Sequence, residues 1–413
     1  MPVIGIGGGG GSGPILSRRS TWSRKSRFSG GRKLMQSTES GMDWLRAHQR
    51  PGGFWDVQKP CVGHGSCEFA AGSAQQNLGV TSIALLVLLD EGYGLAGEPQ
   101  GDSIRRAADW ILSTQDPEFG LLGDPNAEGF AMEHCLATWA VAKVVGMVGD
   151  EKKAAQCTKA LAWLSAREGV DGLWRVNGDA EGDVDRTLSA FALHAFAIAD
   201  YCSVPFDPAT TVKGRAMLRK VLTSKVAEQE RQSRLAEKAR KKKAAKRQKE
   251  LEKEKKRNKK NRRSKKSLKK TSEPEAEPAP PGLTFPAMDD EQAFWVLRWS
   301  EYLEAGKSPV NTLPAQARGA PQDRPASPFE SLVRCNTRRT TQGQWQGLLE
   351  DHIGGWQRRD GAHKGSWDPH PSHKNLGNTW DPWGGRIFST SMCLLNLQAD
   401  WRFPSSKSSS ESR

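Results

Sequence analysis

The sequence predicts an all-α protein whose helical hairpins form an α/α toroid, that is, two concentric layers of helices closing into a ring. Two observations lead to this fold class. A helical segment bearing Trp or Leu, a Gly-rich turn and an almost wholly apolar helix recur about fifty to sixty residues apart, as in helical arrays that bury their faces against neighbouring units. The two helices of each unit also differ in polarity, which assigns them to different layers.

Four units contain both helices. Their first helices and turns occupy 41–57, 103–125, 159–176 and 345–369, and their second helices occupy 78–94, 131–150, 182–201 and 383–403. Residues 289–306 have the pattern of a second helix without a recognisable first one. A basic insertion stands where further helices are expected, so the predicted ring is five-sided, gapped or completed by an unrecognised segment.

The polarity of the helices indicates their layers. Residues 103–113 combine charged side chains such as Arg105 with apolar ones such as Ile111. A helix with one solvent-exposed face is suited to the outer layer. Residues 83–89 are apolar on every side, which suits an inner layer covered on both faces. An open solenoid also accommodates such hairpins but does not require uniformly apolar inner helices, so the pattern favours closure.

The turns of the first, third and last units carry a Gln, Gly and Trp motif or a degraded copy of it. Residues 49–55 read QRPGGFW, residues 168–174 read EGVDGLW with Glu168 where Gln is usual, and residues 365–369 read GSWDP. These motifs resemble the repeat of terpenoid cyclases and protein prenyltransferases, and the last hairpin resembles the closing hairpin of squalene-cyclase-type toroids. The resemblance covers 41–222 and 289–403. It implies an α/α toroid whose central cavity binds an isoprenoid or other apolar ligand.

The same motif has a purely structural interpretation. Glycine tolerates the positive φ of a tight turn, and a Gln amide can hydrogen-bond the exposed backbone at a helix end. The Trp ring covers the junction. The motif therefore predicts a fold and no chemistry.

Charge is distributed unevenly along the chain. The net charge of +14 divides into +17 for residues 225–271, which hold 23 Lys and Arg against 6 Asp and Glu, +7 for residues 1–36, and −10 for the rest. We therefore expect five regions. They are a flexible Gly/Ser/Arg-rich N-terminus at 1–36, the first part of the toroid at 37–224, a basic insertion and Pro-rich linker at 225–282, the remainder of the toroid at 283–404 and a disordered tail at 405–413.

The basic insertion has two interpretations. Lys and Arg at this density attract an anionic partner, either nucleic acid or anionic lipid, partly through counterion release. Residues 225–271 contain no interleaved aromatic side chains and no nucleic-acid-binding motif, so a solvated surface insertion fits equally well.

Cysteine usage and hydropathy bear on location. Seven cysteines at irregular spacing do not make a disulfide framework, which favours a reducing compartment. No segment has the length and apolarity of a transmembrane helix, and the first residues lack a basic stretch ahead of an apolar core. The sequence therefore predicts a cytoplasmic protein.

Inner helices of a toroid run parallel, so their N-termini meet at one mouth of the cavity. Residues at these positions are the candidate cavity rim, namely Glu133, His134, Asp289, Asp290 and Arg386. Helix N-termini present unpaired N–H groups and positive potential, so carboxylates there serve equally well as helix caps.

Residues 183–187 read DVDRT and resemble the Asp-x-Asp-Asp-Thr motif of class II terpenoid cyclases, whose middle Asp protonates an alkene or epoxide. The resemblance implies catalytic roles for Asp183, Asp185 and Thr187, with Asp185 as the proton donor of a cyclase- or mutase-like isomerase. Arg186 replaces the last Asp of the motif. A neighbouring cation favours the ionised carboxylate, which is the wrong state for a proton donor.

Two clusters contain metal-ligand side chains. Cys61, His64 and Cys67 have spacing compatible with zinc in a Gly-rich loop, and His134 or Cys135 is available as a fourth ligand. A weaker cluster contains His363, Asp368, His370 and His373. The zinc site of protein prenyltransferases is not matched, because residues 288–295 contain no Cys.

Three classes of function stay open. The first, which the resemblance and the apolar inner helices favour, is a cyclase-like toroid that binds or converts an isoprenoid. The second is a non-catalytic scaffold in which the acidic toroid and the basic arm bind separate partners. The third is a Cys/His metalloprotein. Fold does not determine function, and the sequence supplies no complete catalytic set.

Overall fold

The computed structural model describes residues 31–59, 74–91, 99–175, 182–224, 288–305, 349–368 and 381–400, together with six isolated residues between 235 and 347. Within these ranges 71% of the residues are helical and no strand occurs. The all-α class is confirmed for this part of the chain. Residues 1–30 of the predicted flexible N-terminus at 1–36, the predicted tail at 405–413 and almost all of the basic insertion lie outside the described residues, whereas residues 31–36 are the first turns of a helix.

Nine α-helices are described. They are α1 (Gly31–Ala47), α2 (Asn77–Asp90), α3 (Pro99–Ser113), α4 (Phe130–Val148), α5 (Glu151–Ser165), α6 (Arg186–Tyr201), α7 (209–224), α8 (Met288–Ala305) and α9 (Asp381–Leu397). Short 3-10 helices span Ala74–Gln76, Gly361–His363 and Gln398–Asp400, and a π-helical turn spans Leu349–Gly354.

The first helices of the hairpins, α1, α3, α5 and α7, flank the second helices, α2, α4, α6, α8 and α9. Among the second helices, α2 packs against α4, α4 against α6, and α6 against α8. Helix α9 packs against α2, so the last described helix lies beside the first of its kind. Helix α3 contacts both α2 and α4, α5 contacts α4 and α6, and α1 contacts α9 and α2. Each of these first helices therefore lies across two second helices.

Helix α7 is an element that the sequence patterns do not indicate. It contains Gly214, a residue that is unfavourable inside a helix. The structure explains the glycine, because a Cβ atom there would collide with the carbonyl oxygen of Gly172. Arg219 near the end of α7 pairs with Glu301 of α8 at 2.6 Å. The fourth hairpin therefore has its first helix after all, and the basic insertion lies between α7 and α8.

Two compact units are present, the first comprising residues 1–219 and 288–413 and the second residues 220–287. No helix in the described part of the chain is both long and apolar enough to cross a membrane.

Glutamine side chains join successive units. The Gln49 amide donates to the carbonyl of Gly53 in its own turn and to that of Ser103 in α3, both at 2.8 Å. Gln115 repeats this arrangement in the second unit, donating to Gly120 at 3.0 Å and to Gln156 of α5 at 2.9 Å. Each glutamine thus satisfies one carbonyl of its own turn and one of the next first helix.

Gln357 makes the same two kinds of hydrogen bond between the last unit and the first. Each such connection, from the turn of one unit to the first helix of the next, is called a joint below. Its amide donates to Gly365 of its own turn at 2.8 Å and to the carbonyl of Ser37 in α1 at 2.7 Å. Gly365 has a φ of +94°, and a Cβ atom there would overlap the backbone of Ser40 in α1. The last turn is therefore joined to α1 in the way that the earlier turns are joined to the helices that follow them.

The tryptophans of the motif fix each turn to both of its helices. Trp55, Trp174 and Trp367 are almost fully buried. Each backbone N–H donates to a hydroxyl of the second helix, and each indole N–H donates to a carbonyl of the first helix. The hydroxyls belong to Thr81, Ser189 and Thr390, and the carbonyls to Leu45, Leu164 and Ile353.

Candidate functional site

Asp185, the predicted proton donor, caps helix α6. Its carboxylate accepts a hydrogen bond from the backbone N–H of Leu188 at 2.9 Å, three residues into the helix. Its own N–H donates to the carbonyl of Trp174 at 3.0 Å, which fixes the turn of the third unit. An Asp at this position stabilises a helix by about 1 kcal/mol. The carboxylate therefore has a structural partner, and its catalytic role stays a prediction.

The other two residues of the DVDRT segment differ in environment. Asp183 is exposed, whereas Thr187 is buried in the first turn of α6. Arg186 is half-buried between them and begins the helix. The three predicted catalytic side chains thus occupy an exposed, a half-buried and a buried position.

His134 takes the place of a hydroxyl in the second unit. Leu122 stands where the other turns have Trp, and its backbone N–H donates to Nδ1 of His134 at 2.9 Å. The Nε2 atom lies 3.0 Å from the carbonyl of Ala160 in α5, to which it donates. Burial lowers the pKa of His134 to about 4, which keeps the ring neutral. Neither nitrogen is left for a ligand, so the structure accounts for His134 as a joint between α4 and its neighbours.

Glu133, the preceding residue, has the most unusual carboxyl among the described residues. It lies in the first turn of α4, half-buried, and accepts a hydrogen bond from the N–H of Gly79 in α2. A Cβ atom at residue 79 would lie 3.3 Å from both Cγ and Oε1 of Glu133, so glycine leaves room for this contact. Burial raises the pKa of Glu133 from 4.5 to about 8, and the carboxyl is largely protonated at neutral pH.

Arg386, the last candidate for the rim, is buried at the start of α9. Its guanidinium pairs with Asp368 at 2.6 Å and donates to the Ser366 hydroxyl at 2.9 Å. Asp368 also pairs with Arg358 at 2.8 Å. The two guanidinium groups favour the ionised carboxylate and outweigh the effect of burial, so the pKa of Asp368 is below its ordinary value. These contacts join Arg386 to the turn of the last unit, here called the closing turn.

Most of the predicted metal ligands lie outside the described residues, so these sites stay predictions. Cys61, His64 and Cys67 lie outside them, as do His370 and His373. The side chains of Asp289 and Asp290, in the first turn of α8, are also outside the described part. Within that part, no group of three or more His, Cys, Asp and Glu side chains could hold a metal ion.

Among the described second helices, α2, α4 and α6 are buried along their central turns. Every residue of α2 from Leu78 to Asp90 and every residue of α6 from Thr187 to Ala199 is buried, and α4 is buried from His134 to Gly146. Thirteen consecutive residues sample all faces of a helix. A cavity able to hold an apolar ligand against these turns would expose some of these side chains, and none is exposed.

A cavity of about 730 Å³, lined by described residues, lies at the joint that Gln357 makes between the last turn and α1, here called the closing joint. Lys33, Arg358, Arg359 and Lys364 are among its lining residues, and no carboxylate is. The sequence patterns do not predict that these cations meet. The basic pair and the following Lys in QRRDGAHKG, at residues 357–365, are the signal that could have indicated it.

A buried ion pair also escaped the sequence analysis. Lys143 of α4 pairs with Asp90 at the end of α2, and both side chains are about 97% buried or more. A single Lys among the uncharged residues 135–148 of α4 is the signal that could have indicated it. The pair joins two neighbouring second helices.

The sequence and the structure were compared with known proteins. No family model matches the sequence, and the comparisons with curated proteins and with solved structures give no match either. The resemblance to terpenoid cyclases and prenyltransferases therefore remains a prediction that rests on the motifs of the chain itself.

Proposed function

We propose that this protein is a non-catalytic interaction scaffold, built as an α/α toroid, whose basic segment binds an anionic partner. The contacts of α9 with α2 and of Gln357 with α1 place the last unit beside the first, as a toroid requires, and the described contacts form the series α9, α2, α4, α6 and α8. The function rests on one observation above all, the burial of α2, α4 and α6 on every face. Helices packed in this way contact other protein segments on every side. Their central turns therefore have no free face against which a substrate could bind.

The candidate catalytic residues support the same proposal. Asp185 caps α6, His134 bonds two backbone groups, and Arg386 is tied to the closing turn. Each has a structural role that explains its presence. A scaffold needs these joints to be stable and requires no further chemistry from them.

The anionic partner is inferred from charge. Residues 225–271 carry a net charge of +17 on a chain whose remainder outside 1–36 carries −10. This separation lets the basic arm and the acidic part attract different partners. Nucleic acid and anionic lipid are the two partner classes to compare.

Two measurements test the scaffold. Native mass spectrometry of gently purified protein, followed by solvent extraction, should reveal no bound isoprenoid, and squalene and prenyl diphosphates should be recovered unchanged after incubation. Binding of single-stranded RNA and of anionic vesicles should fall steeply between about 50 and about 200 mM salt and be lost when residues 225–271 are deleted. A co-purifying isoprenoid, or retention of binding by the deletion variant, would overturn the proposal.

Glu133 favours a second candidate, a cyclase-like isomerase or binding protein for an apolar ligand. A carboxyl with a pKa of about 8 carries a proton at neutral pH, as a general acid must. In this alternative Glu133 rather than Asp185 donates the proton, since Asp185 is engaged as a cap. Turnover of squalene or a prenyl diphosphate that is lost in Glu133→Gln and kept in Asp185→Asn would establish it.

A further inference from the structure

The closing joint differs from the other joints in what covers its turn. In the first joint Arg106 of α3 donates to Oε1 of Gln49 at 3.0 Å, and in the second Lys159 of α5 donates to the carbonyl of Pro117 at 3.0 Å. In the third, Lys213 of α7 donates to the carbonyl of Val170. A long basic side chain from the following helix thus lies on the turn in each of these joints.

Ser40 occupies the corresponding place in the closing joint. The turn glycines identify the correspondence, because a Cβ atom at Gly53, Gly120 or Gly365 would collide with the backbone of Arg106, Lys159 or Ser40, respectively. Ser40 is too short to cover the turn. Ser40 instead lines the cavity of about 730 Å³.

The cations of this joint line the cavity instead of covering the turn. Lys33 comes from α1, and Arg358, Arg359 and Lys364 come from the turn. Arg358 pairs with Asp368, which it shares with Arg386. Within the described part of the chain, the side chains of Lys33, Arg359 and Lys364 form no ion pair. Three positive charges from two separate elements therefore face one cavity that has no carboxylate in its lining.

The polar groups of the lining are also suited to an anion. Ser37, Ser40 and Gln36 also line the cavity. No atom lies within 4 Å of where a Cβ atom would stand at Gly355, so the wall is open there. Arginine binds phosphate through two parallel hydrogen bonds and lysine binds it as a point charge. The volume lies within the range of small-molecule sites and exceeds what one inorganic phosphate fills.

We propose that this cavity is a binding site for a small molecule carrying two or more phosphate groups. The site is separate from the basic segment 225–271 and does not depend on the scaffold function. A ligand that contacts Lys33 of α1 together with Arg359 and Lys364 of the last turn bridges the first and last units. Because it binds only the folded joint, it stabilises that joint by mass action.

The test uses the full chain and inorganic tripolyphosphate as the probe, with orthophosphate for comparison. Isothermal titration at about 0.2 M salt limits weak binding to the basic segment. The double variant Arg359→Gln/Lys364→Gln is compared with the matched control Lys59→Gln/Lys152→Gln, which removes two exposed positive charges elsewhere. We expect one saturable site that binds tripolyphosphate at least about tenfold more weakly in the cavity variant than in the control.

Hydrogen exchange gives a second readout that requires no variant. Tripolyphosphate should slow amide exchange in residues 33–40 and 354–365 of the wild-type chain, since it bridges these two segments. Orthophosphate should do so much more weakly. Equal affinities in the two double variants, or protection confined to residues outside these segments, would overturn the proposal.

Discussion

Replacing Glu133 with Gln tests whether the contact between α4 and α2 depends on a protonated carboxyl. Glutamine is close in shape to protonated glutamate, and its Oε1 can still accept the hydrogen bond from Gly79. The pKa of Glu133 is about 8 in the folded protein against an ordinary 4.5. At about 1.4 kcal/mol per pH unit, this difference corresponds to an upper limit of roughly 5 kcal/mol. Partial solvent contact reduces it, and we expect about 2–4 kcal/mol.

The sign follows from which state binds the proton more tightly. The folded protein holds the proton of Glu133 up to about pH 8, whereas the unfolded chain releases it near pH 4.5. The contribution of this group to stability is therefore fully present below about pH 4.5 and is lost progressively as the pH rises to about 8. Glu133→Gln removes this loss, so the variant should match the wild type near pH 5 and be more stable near pH 8.

The assay is urea unfolding at several pH values between about 5 and 8, with the free energy of unfolding compared between variant and wild type at each pH. Other titrating groups contribute alike to both proteins and cancel in the difference. Glu128→Gln, an exposed position just before α4, is the matched control and should follow the wild type. A constant difference between Glu133→Gln and wild type across the pH range would refute the reasoning.

Three further predictions concern the joints and the core. Gln357→Ala leaves two backbone carbonyls without their donor and should lower the free energy of unfolding by about 1–3 kcal/mol, measured in urea; no loss would mean that the closing joint is dispensable. Lys143→Met should cost about 3–5 kcal/mol because it leaves Asp90 charged in the core, and adding Asp90→Leu should restore most of the stability; a doubly destabilised double variant would contradict this. Burial raises the pKa of the Cys157 thiol above its usual range and that of Cys202 to about 12, so iodoacetamide should modify both only at the rate of unfolding, and rapid labelling of native protein would count against their burial.

Much of the fold follows from local pattern. The apolar runs of α2, α4 and α6 are so uniform that only burial on all sides accounts for them, and the amphipathic α3 follows from its charges on one side. The roles of Gln49 and Trp55 also follow from sequence, because a Gly-rich turn at a helix end leaves backbone groups that an amide and an indole can satisfy. The apolar helices and the turn motif could be predicted because they recur along the sequence.

Helix α7 and the cavity show why the rest could not be predicted. The sequence around Gly214 lacks a strong apolar stripe, and the glycine is explained only by the approach of the Gly172 turn, more than 40 positions earlier in the chain. The cavity depends on Ser40 and Lys364, which are distant in sequence and meet only through the closing joint. The structural role of His134 could not be predicted either. It accepts a hydrogen bond from the backbone of Leu122, which stands where the other turns have Trp.

The joint between Gln357 and Ser37 has a consequence for where the array can come apart. Linear helical arrays fray from their end units, which have one neighbour each and need polar caps. Here the first unit has a neighbour on both sides, since α2 lies between α4 and α9. The first unit therefore has the contacts of an interior unit, although it comes first in the chain. Amide exchange in α2 should therefore be as slow as in α4, and opening should begin elsewhere in the array.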